Sequence, residues 1–371
     1  MQIHILHISD LHLAQTALRR EILSLRSLTE IDAYKRFFNH ESAASFNPVV
    51  VGAVSELAKR YSEILDGILI TGDISTSGDK DDLKEAFDIV DGISGSSHPL
   101  LGALTSNRHI PFDFPDNVPM FLLPGNHDRY YTDKKLYQPG SMNFHDTFSK
   151  FWVKDQNVKI CRIPIDKGII RVGLVLADFS LKSIDDCRVD FGLLGHILDP
   201  LGPLGLDKLT KRIAGLAQGY VDRDILEEMV EKTNDFIECA NQDGNQPIVI
   251  WAIHFPPRFP VGEGRFEKIK SEFKKLVDEN KLIDAAQKCG IPLIVAGHTH
   301  KPDFYRVEEF DVNCAGSATQ FMGEVGEIMD NFCHILRIDI DADGFDISVY
   351  DFKYEKRGRQ ITGGEFRRHY K

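Results

Sequence analysis

Cysteine is scarce in this chain. Six are spread over 371 residues, at Cys161, Cys187, Cys239, Cys289, Cys314 and Cys333, and no two form a Cys-x-x-Cys pair. That excludes a disulfide-dense scaffold and a zinc ribbon, and free thiols in a reducing compartment are the expectation. No apolar run reaches the roughly 18 residues that a membrane-spanning helix needs. The opening Met-Gln-Ile-His-Ile-Leu-His-Ile-Ser-Asp lacks a basic stretch and a following cleavage site. It reads as a strand rather than a signal peptide, and a cytoplasmic location is expected. Positive charge is also short: 44 basic residues face 56 acidic ones, for a formal charge of −12. Such a balance argues against duplex nucleic acid or an anionic membrane as the main partner, because both demand a cationic field. Internal repeats and low-complexity tracts are absent. With 42% hydrophobic and 27% charged residues, the composition is that of a globular chain.

Short apolar runs rich in β-branched residues recur along the sequence. Ile3–Ile8, Gly67–Thr71, Pro119–Leu123, Ile169–Ala177, Pro247–Ile253 and Pro292–Ala296 read as buried strands. Residues 332–354 alternate about a turn at Asp341–Gly344 and predict an antiparallel hairpin. Helices are expected after Asn47-Pro48, after Asp222, and over Phe266, Ile269, Phe273, Leu276 and Val277. Strands alternating with helices predict an α/β core with mixed sheets. Insertions are expected near 19–46, 92–118 and 181–219. The last holds Gly, Pro and the apolar set Leu193, Leu194, Ile197, Leu198, Leu201 and Leu204, and it reads as a lid over a site, a cap that pairs two copies of the chain, or an idle surface loop. From Lys353 to Lys371 seven Lys and Arg residues accompany Glu355 and Glu365, which reads as a basic, solvated tail.

Five short polar blocks carry the chemistry. Asp10-Leu11-His12, Gly72-Asp73, Gly125-Asn126-His127-Asp128, His254 and Gly297-His298-Thr299-His300 each lie just beyond an apolar run. In open α/β sheets ligands gather at the carboxyl ends of strands, so residues far apart in sequence converge on one rim. Asp, His and Asn without Cys form a nitrogen and oxygen donor set that suits Mn, Fe or Zn ions. Asp10 and His12, two residues apart in extended backbone, are expected to share a side, and so are His298 and His300. Asp73 is the central carboxylate and is of a type able to bridge two ions, and two ions about 3.5–4 Å apart are a known arrangement for phosphate-ester hydrolysis. The other nine of the 14 histidines read as ordinary core or surface residues.

In this order the blocks D-x-H, G-D, G-N-H-D, H and G-H-x-H resemble the calcineurin-like metallophosphoesterase superfamily, over residues 1 to about 320. The resemblance implies a four-layer αββα sandwich of two mixed β-sheets, in one domain over 1–355 with the tail at 356–371. It implies one metal held by Asp10, His12, Asp73 and His300, and a second held by Asp73, Asn126, His254 and His298. Protein phosphatases of this superfamily read Gly-Asp-x-Val-Asp-Arg-Gly and Gly-Asn-His-Glu. Here Gly72-Asp-Ile-Ser-Thr-Ser-Gly78 and Asp128 depart from both patterns. Ser9–Leu13, Gly297–Pro302 and His254-Phe-Pro-Pro257 look more like the class III cyclic-nucleotide phosphodiesterase branch, with Phe255 where a second His is common.

The implied reaction is hydrolysis of a small phosphoester, a phosphodiester such as a cyclic nucleotide, by a metal-bridging hydroxide. His127, next to Asn126, is expected to protonate the leaving oxygen, and Asp128 to orient its ring. A nuclease acting on DNA or RNA, and a scaffold that keeps the fold without catalysis, stay open as alternatives. So does a homodimer.

Overall fold

A computed structural model of the chain describes residues 1–13, 46, 48–76, 78–92, 111–129, 142–152, 156–164, 170–180, 218–260, 276–320, 330–341, 344–356 and 364–369. In chain order the elements are β1 (Gln2–Ile8), α1 (Pro48–Arg60), β2 (Gly67–Thr71), α2 (Lys80–Val90), β3 (Met120–Leu123), a 3-10 turn (His127–Arg129) and α3 (Asn143–Thr147). Next come β4 (Val158–Arg162), β5 (Ile170–Ala177), β6 (Gly219–Tyr220), α4 (Arg223–Gln242), β7 (Gln246–Ala252), β8 (Leu276–Val277) and α5 (Glu279–Lys288). The chain closes with β9 (Leu293–Ala296), β10 (Asp303–Val307), β11 (Phe310–Cys314), β12 (Phe332–Ile340), β13 (Phe345–Lys356) and β14 (Gly364–His369).

Two six-stranded mixed sheets result, as the resemblance implied. The first runs β14-β13-β12-β1-β2-β3 and the second β10-β11-β9-β7-β5-β4. β1, β2 and β3 are mutually parallel in the first sheet, and β5, β7, β9 and β11 in the second. Period-two alternation explains the layering. Val172, Leu174, Leu176, Ile248, Ile250, Ala252, Leu293 and Val295 join the core shared with the first sheet. Their neighbours Val175, Ala177, Val249, Trp251, Ile253, Ile294 and Ala296 pack instead with Ile225, Met229, Leu282 and Ile283 of α4 and α5. Strands covered on both faces need apolar residues throughout, which is why the sequence shows them as unbroken runs.

The helix after Asp222 begins where the sequence places it. The Asp222 carboxylate accepts from the amides of Asp224 (2.8 Å) and Ile225 (3.1 Å), a cap worth about 1 kcal/mol. Other expectations need correction. Leu276 and Val277, expected to be helical, instead form β8 and pair in parallel with β6. The C-terminal segment is not wholly a solvated tail: β14 extends the first sheet, with Phe366 buried opposite Tyr354. One apolar residue alternating between Glu365 and Arg367 suffices for that, because only one face of an edge strand needs covering. At the end of the expected 92–118 insertion, Phe112 and Val118 are buried, and the Phe112 amide donates to the Ile89 carbonyl at 2.8 Å. The expected lid or cap over 181–217, the rest of that insertion over 93–110, and residues 19–45 lie outside the described residues. Among the described residues no helix is long and apolar enough to cross a membrane. The described cysteines, Cys161, Cys239, Cys289, Cys314 and Cys333, carry free thiols.

Candidate metal centre

The carboxyl ends of β1, β2, β3, β7 and β9 meet on one rim, and each is followed by one of the polar blocks. There the two sheets are stitched together. The His298 amide donates to Asp10 Oδ2 at 3.0 Å, and Ser317 Oγ donates to the Asp10 carbonyl at 2.8 Å. Past the strand ends, the Asp10 and His12 amides donate to the carbonyls of Gly72 (3.1 Å) and Asp73 (2.9 Å). These bonds hold an unusual backbone. Asp10, His12, Asp73, His298 and His300 have φ of 52°, 48°, 50°, 67° and 58°. The expectation of extended backbone at these pairs is therefore wrong: the side chains converge through left-handed residues. Such conformations cost of order 1 kcal/mol or more each and persist only where surrounding bonds enforce them, typically at functional sites. Gly72, at φ 95°, lets the loop pass under His254: a Cβ there would lie 2.5 Å from its Nδ1.

The donor atoms fall into two groups. Asp10, His12, Asp73 and His300 form one, Asp73, His254 and His298 the other, and within each the ligand atoms lie within 4.8 Å of one another. Asp73 belongs to both. His12 Nε2 and His300 Nε2 face each other at 3.3 Å, and His300 Nε2 is 3.3 Å from Asp10 Oδ1. His254 donates Nδ1–H to the Thr71 carbonyl at 2.7 Å, which turns its Nε2 toward Asn126 Oδ1 (2.9 Å) and Asp73 Oδ2 (3.2 Å). Asp10 Oδ1 and Asp73 Oδ2 are buried and meet only the His300 and His254 rings, with no backbone or neutral side-chain donor on either oxygen. Buried carboxylate oxygens in that condition are expensive unless a cation meets them, so the residues fit a pair of metal ions.

Protonation in the metal-free protein favours ionised carboxylates and a neutral His12, while His254 holds a proton that an ion must displace. Burial pushes Asp10 up, but the neighbouring His300 outweighs it and holds the carboxyl at about 2. Burial likewise opposes ionisation of Asp73, yet His254 and His127 bring it well below the carboxylate range. Burial, with His127 beside it, lowers His12 to about 3, which keeps the lone pair of one ring nitrogen available. Burial also disfavours charge on His254, but Asp73 more than compensates and raises it to about 9.

Of the two neighbours of the donor set, His127 lies beside it and Asp128 takes a different part from the one expected. His127 is half-buried, its ring edge-on to His12 with centroids 4.7 Å apart. Its Nδ1 is 3.0 Å from the Thr76 carbonyl, so that carbonyl orients the ring, the role expected of Asp128. The Asp128 carboxylate accepts instead from the amides of Ser75 (2.7 Å), Gly125 (2.8 Å) and Ile74 (3.1 Å). It clamps the Asp73 loop to the Asn126 loop. Phe255 is fully buried, its ring centroid 4.5 Å from that of His298 and 5.0 Å from that of His254. It walls the site. Sequence reasoning missed Arg129, whose buried guanidinium pairs with buried Asp178 and so ties the same loop to the end of β5. Its only sequence signal is its place beside the Gly-Asn-His-Asp block.

A sandwich of two mixed sheets with Asp, Asn and His gathered on one rim defines a class of hydrolase. The chain belongs to the calcineurin-like phosphoesterase family, whose sequence profile matches residues 3–302, and phosphoester hydrolysis is its activity class. No curated protein is detectably similar to it in sequence. Among solved structures it is similar to phosphopantetheinyl hydrolase from Mycobacterium tuberculosis, with 14% identity over 85% of this chain and 90% of the other and a TM-score of 0.43. GAP50, the anchor in the inner membrane complex of Plasmodium, shares 10% identity over 100% and 90% of the two chains, with a TM-score of 0.41. Vps29 from Chaetomium thermophilum shares 9% over 99% and 94%, with a TM-score of 0.32. All three are remote in sequence and in superposition.

Proposed function

We propose that this chain is a binuclear metal-dependent phosphodiesterase acting on small diesters such as cyclic nucleotides. The observation that carries the reading is the pair of donor groups joined through Asp73. Asp10, His12, Asp73 and His300 would hold one ion, and Asp73, Asn126, His254 and His298 the other, with Mn, Fe or Zn as suitable metals. Bound there, such ions supply positive charge to phosphoryl oxygens and water whose pKa falls toward about 7.

The chain's own residues do the rest. Two ionised carboxylates leave a two-ion site with net positive charge, which attracts an anionic diester despite the protein's net −12. His127, with Nδ1–H held by the Thr76 carbonyl, takes and gives its proton at Nε2. It hands that proton to the leaving oxygen, a step worth about 10²–10⁴-fold. Asp128 and Arg129 keep the loop that bears Asn126 and His127 in register with Asp73. The Gly72-Asp-Ile-Ser and Gly297-His-Thr-His-Lys-Pro302 blocks support a diesterase over a protein phosphatase.

The test is a phosphoester panel on metal-loaded protein: cyclic nucleotides, bis(p-nitrophenyl) phosphate, p-nitrophenyl phosphate and single-stranded DNA. Turnover of the small diesters well above the monoester is expected. Hydrolysis of the monoester alone refutes the diesterase reading, and faster cleavage of DNA than of small diesters replaces it with a nuclease.

A further inference from the structure

A buried polar chain leads from the metal centre across the ends of β2, β1 and β11. It starts at Thr71, the last residue of β2, whose carbonyl accepts from His254 Nδ1 (2.7 Å) and from Ser9 Oγ (3.1 Å). The Thr71 hydroxyl meets Nε2 of His7, on β1, at 2.9 Å. Nδ1 of His7 receives an N–H from the Asn313 carboxamide, on β11 of the other sheet, at 2.7 Å. Asn313 Oδ1 in turn accepts from Nδ1 of His334, on β12, at 3.1 Å. The chain ends at His334, with Asp351 Oδ1 of β13 3.5 Å from its Nε2. Thr71, His7, Asn313 and His334 are at most 1% exposed.

The bond directions follow from the chemistry of the groups. Asn313 gives its N–H to His7 Nδ1, so that nitrogen carries the lone pair. Burial, with His334 beside it, keeps the His7 ring neutral, so its one hydrogen sits on Nε2 and is donated to Thr71 Oγ1. Two imidazoles and a carboxamide between apolar sheets are a costly way to fill that space, because apolar groups of the same shape can be neutral or stabilising there. The chain crosses from one sheet to the other and ends on the residue whose carbonyl turns His254. Thr71 is also the last strand residue before Gly72, where the backbone departs at φ 95°.

We propose that His7 and Asn313 are positioning residues of the metal centre: through the Thr71 hydroxyl they fix the carbonyl that sets the ring of His254. This rests on the reading of His254 as a metal ligand. Outer groups of this kind typically change metal affinity by about 10–100-fold when removed.

The experiment is calorimetric titration of metal-stripped full-length protein with Mn²⁺, on wild type, Thr71→Val, Thr71→Ser, Asn313→Leu and His254→Ala. Thr71→Val keeps the shape of the side chain and removes its hydroxyl. Both Thr71→Val and Asn313→Leu should weaken one of two binding events by about 10–100-fold and leave the other within about twofold. Thr71→Ser, which restores the hydroxyl, should match wild type. Unchanged affinities in Thr71→Val, equal weakening of both events, or a Thr71→Ser as weak as Thr71→Val overturns the proposal. Should Asn313→Leu fail to fold, the Thr71 pair still decides. Wild type binding a single ion, or His254→Ala keeping both events intact, overturns the ligand assignment itself.

Discussion

Replacing Asp128 by Asn separates a loop clamp from an orienter of His127. The carboxylate accepts three amides, from Ile74 and Gly125 at Oδ2 and from Ser75 at Oδ1. An Asn side chain keeps one acceptor oxygen. In its better orientation it retains the Ile74 and Gly125 bonds and sets its NH₂ against the Ser75 N–H. Burial, with Asp73 beside it, pushes the Asp128 carboxyl up to about 7. Above that pH it is ionised, hydrogen bonds to a charged group contribute about 1.5–3 kcal/mol each, and losing one and weakening two comes to about 2–4 kcal/mol. For a chain of this length about 1.3 °C of melting temperature is lost per kcal/mol, so a fall of about 3–5 °C is expected. Ile74 and Gly125 adjoin Asp73 and Asn126, so metal affinity should fall as well. The assay is thermal melting of metal-stripped and metal-loaded protein, with turnover measured on the same samples. A variant that melts within about 1 °C of wild type and holds its metals, yet has lost turnover, would refute the clamp and return Asp128 to His127.

Changing His127 to Ala should leave both ions bound and lower turnover by about 10²–10⁴-fold, least for p-nitrophenolate esters, whose leaving group needs little protonation; elemental analysis beside kinetics checks this, and loss of the ions would show His127 to be a ligand. Arg129→Leu leaves Asp178 buried and unpaired, at a cost of about 3–5 kcal/mol, and should lower the melting temperature further than Asp128→Asn does. Affinity for the ion at His254 should rise with pH up to about 9. Below that value the metal-free ring carries a proton stabilised by Asp73, and a cation must displace it. Calorimetry in buffers of different ionisation enthalpy detects the released proton, and pH-independent affinity between 7 and 9 contradicts the assignment.

The strands that carry the site were legible because double-sided burial demands unbroken apolar runs, and each run ends where a polar block begins. β2 is found at Gly67–Thr71, the bounds read from sequence, and the blocks after β1, β2, β3, β7 and β9 do converge. What stayed hidden is tertiary. α2 has 11 residues and α5 has 10, both rich in charge, so their buried faces are narrow beside the solvated ones. Phe266 to Val277 has helical spacing, yet Leu276 and Val277 pair with β6, because a partner strand overrides local periodicity. The left-handed backbone of Asp10 and His12 follows from cross-loop bonds to Gly72 and Asp73, which no local pattern encodes. His7 and His334 look like ordinary core histidines in sequence, and only the facing sheet, through Asn313, shows what they bond.

Metal content of the purified chain tests the account most directly. Elemental analysis after dialysis against one divalent metal should give about two ions per chain for wild type. Asp73→Ala should retain neither tightly, since Asp73 is common to both donor groups. Asp10→Ala should lose the ion shared with His12 and His300 and keep the one at His254. A wild-type chain holding at most one ion, or an Asp73→Ala chain still holding two, would contradict a binuclear centre built on this rim.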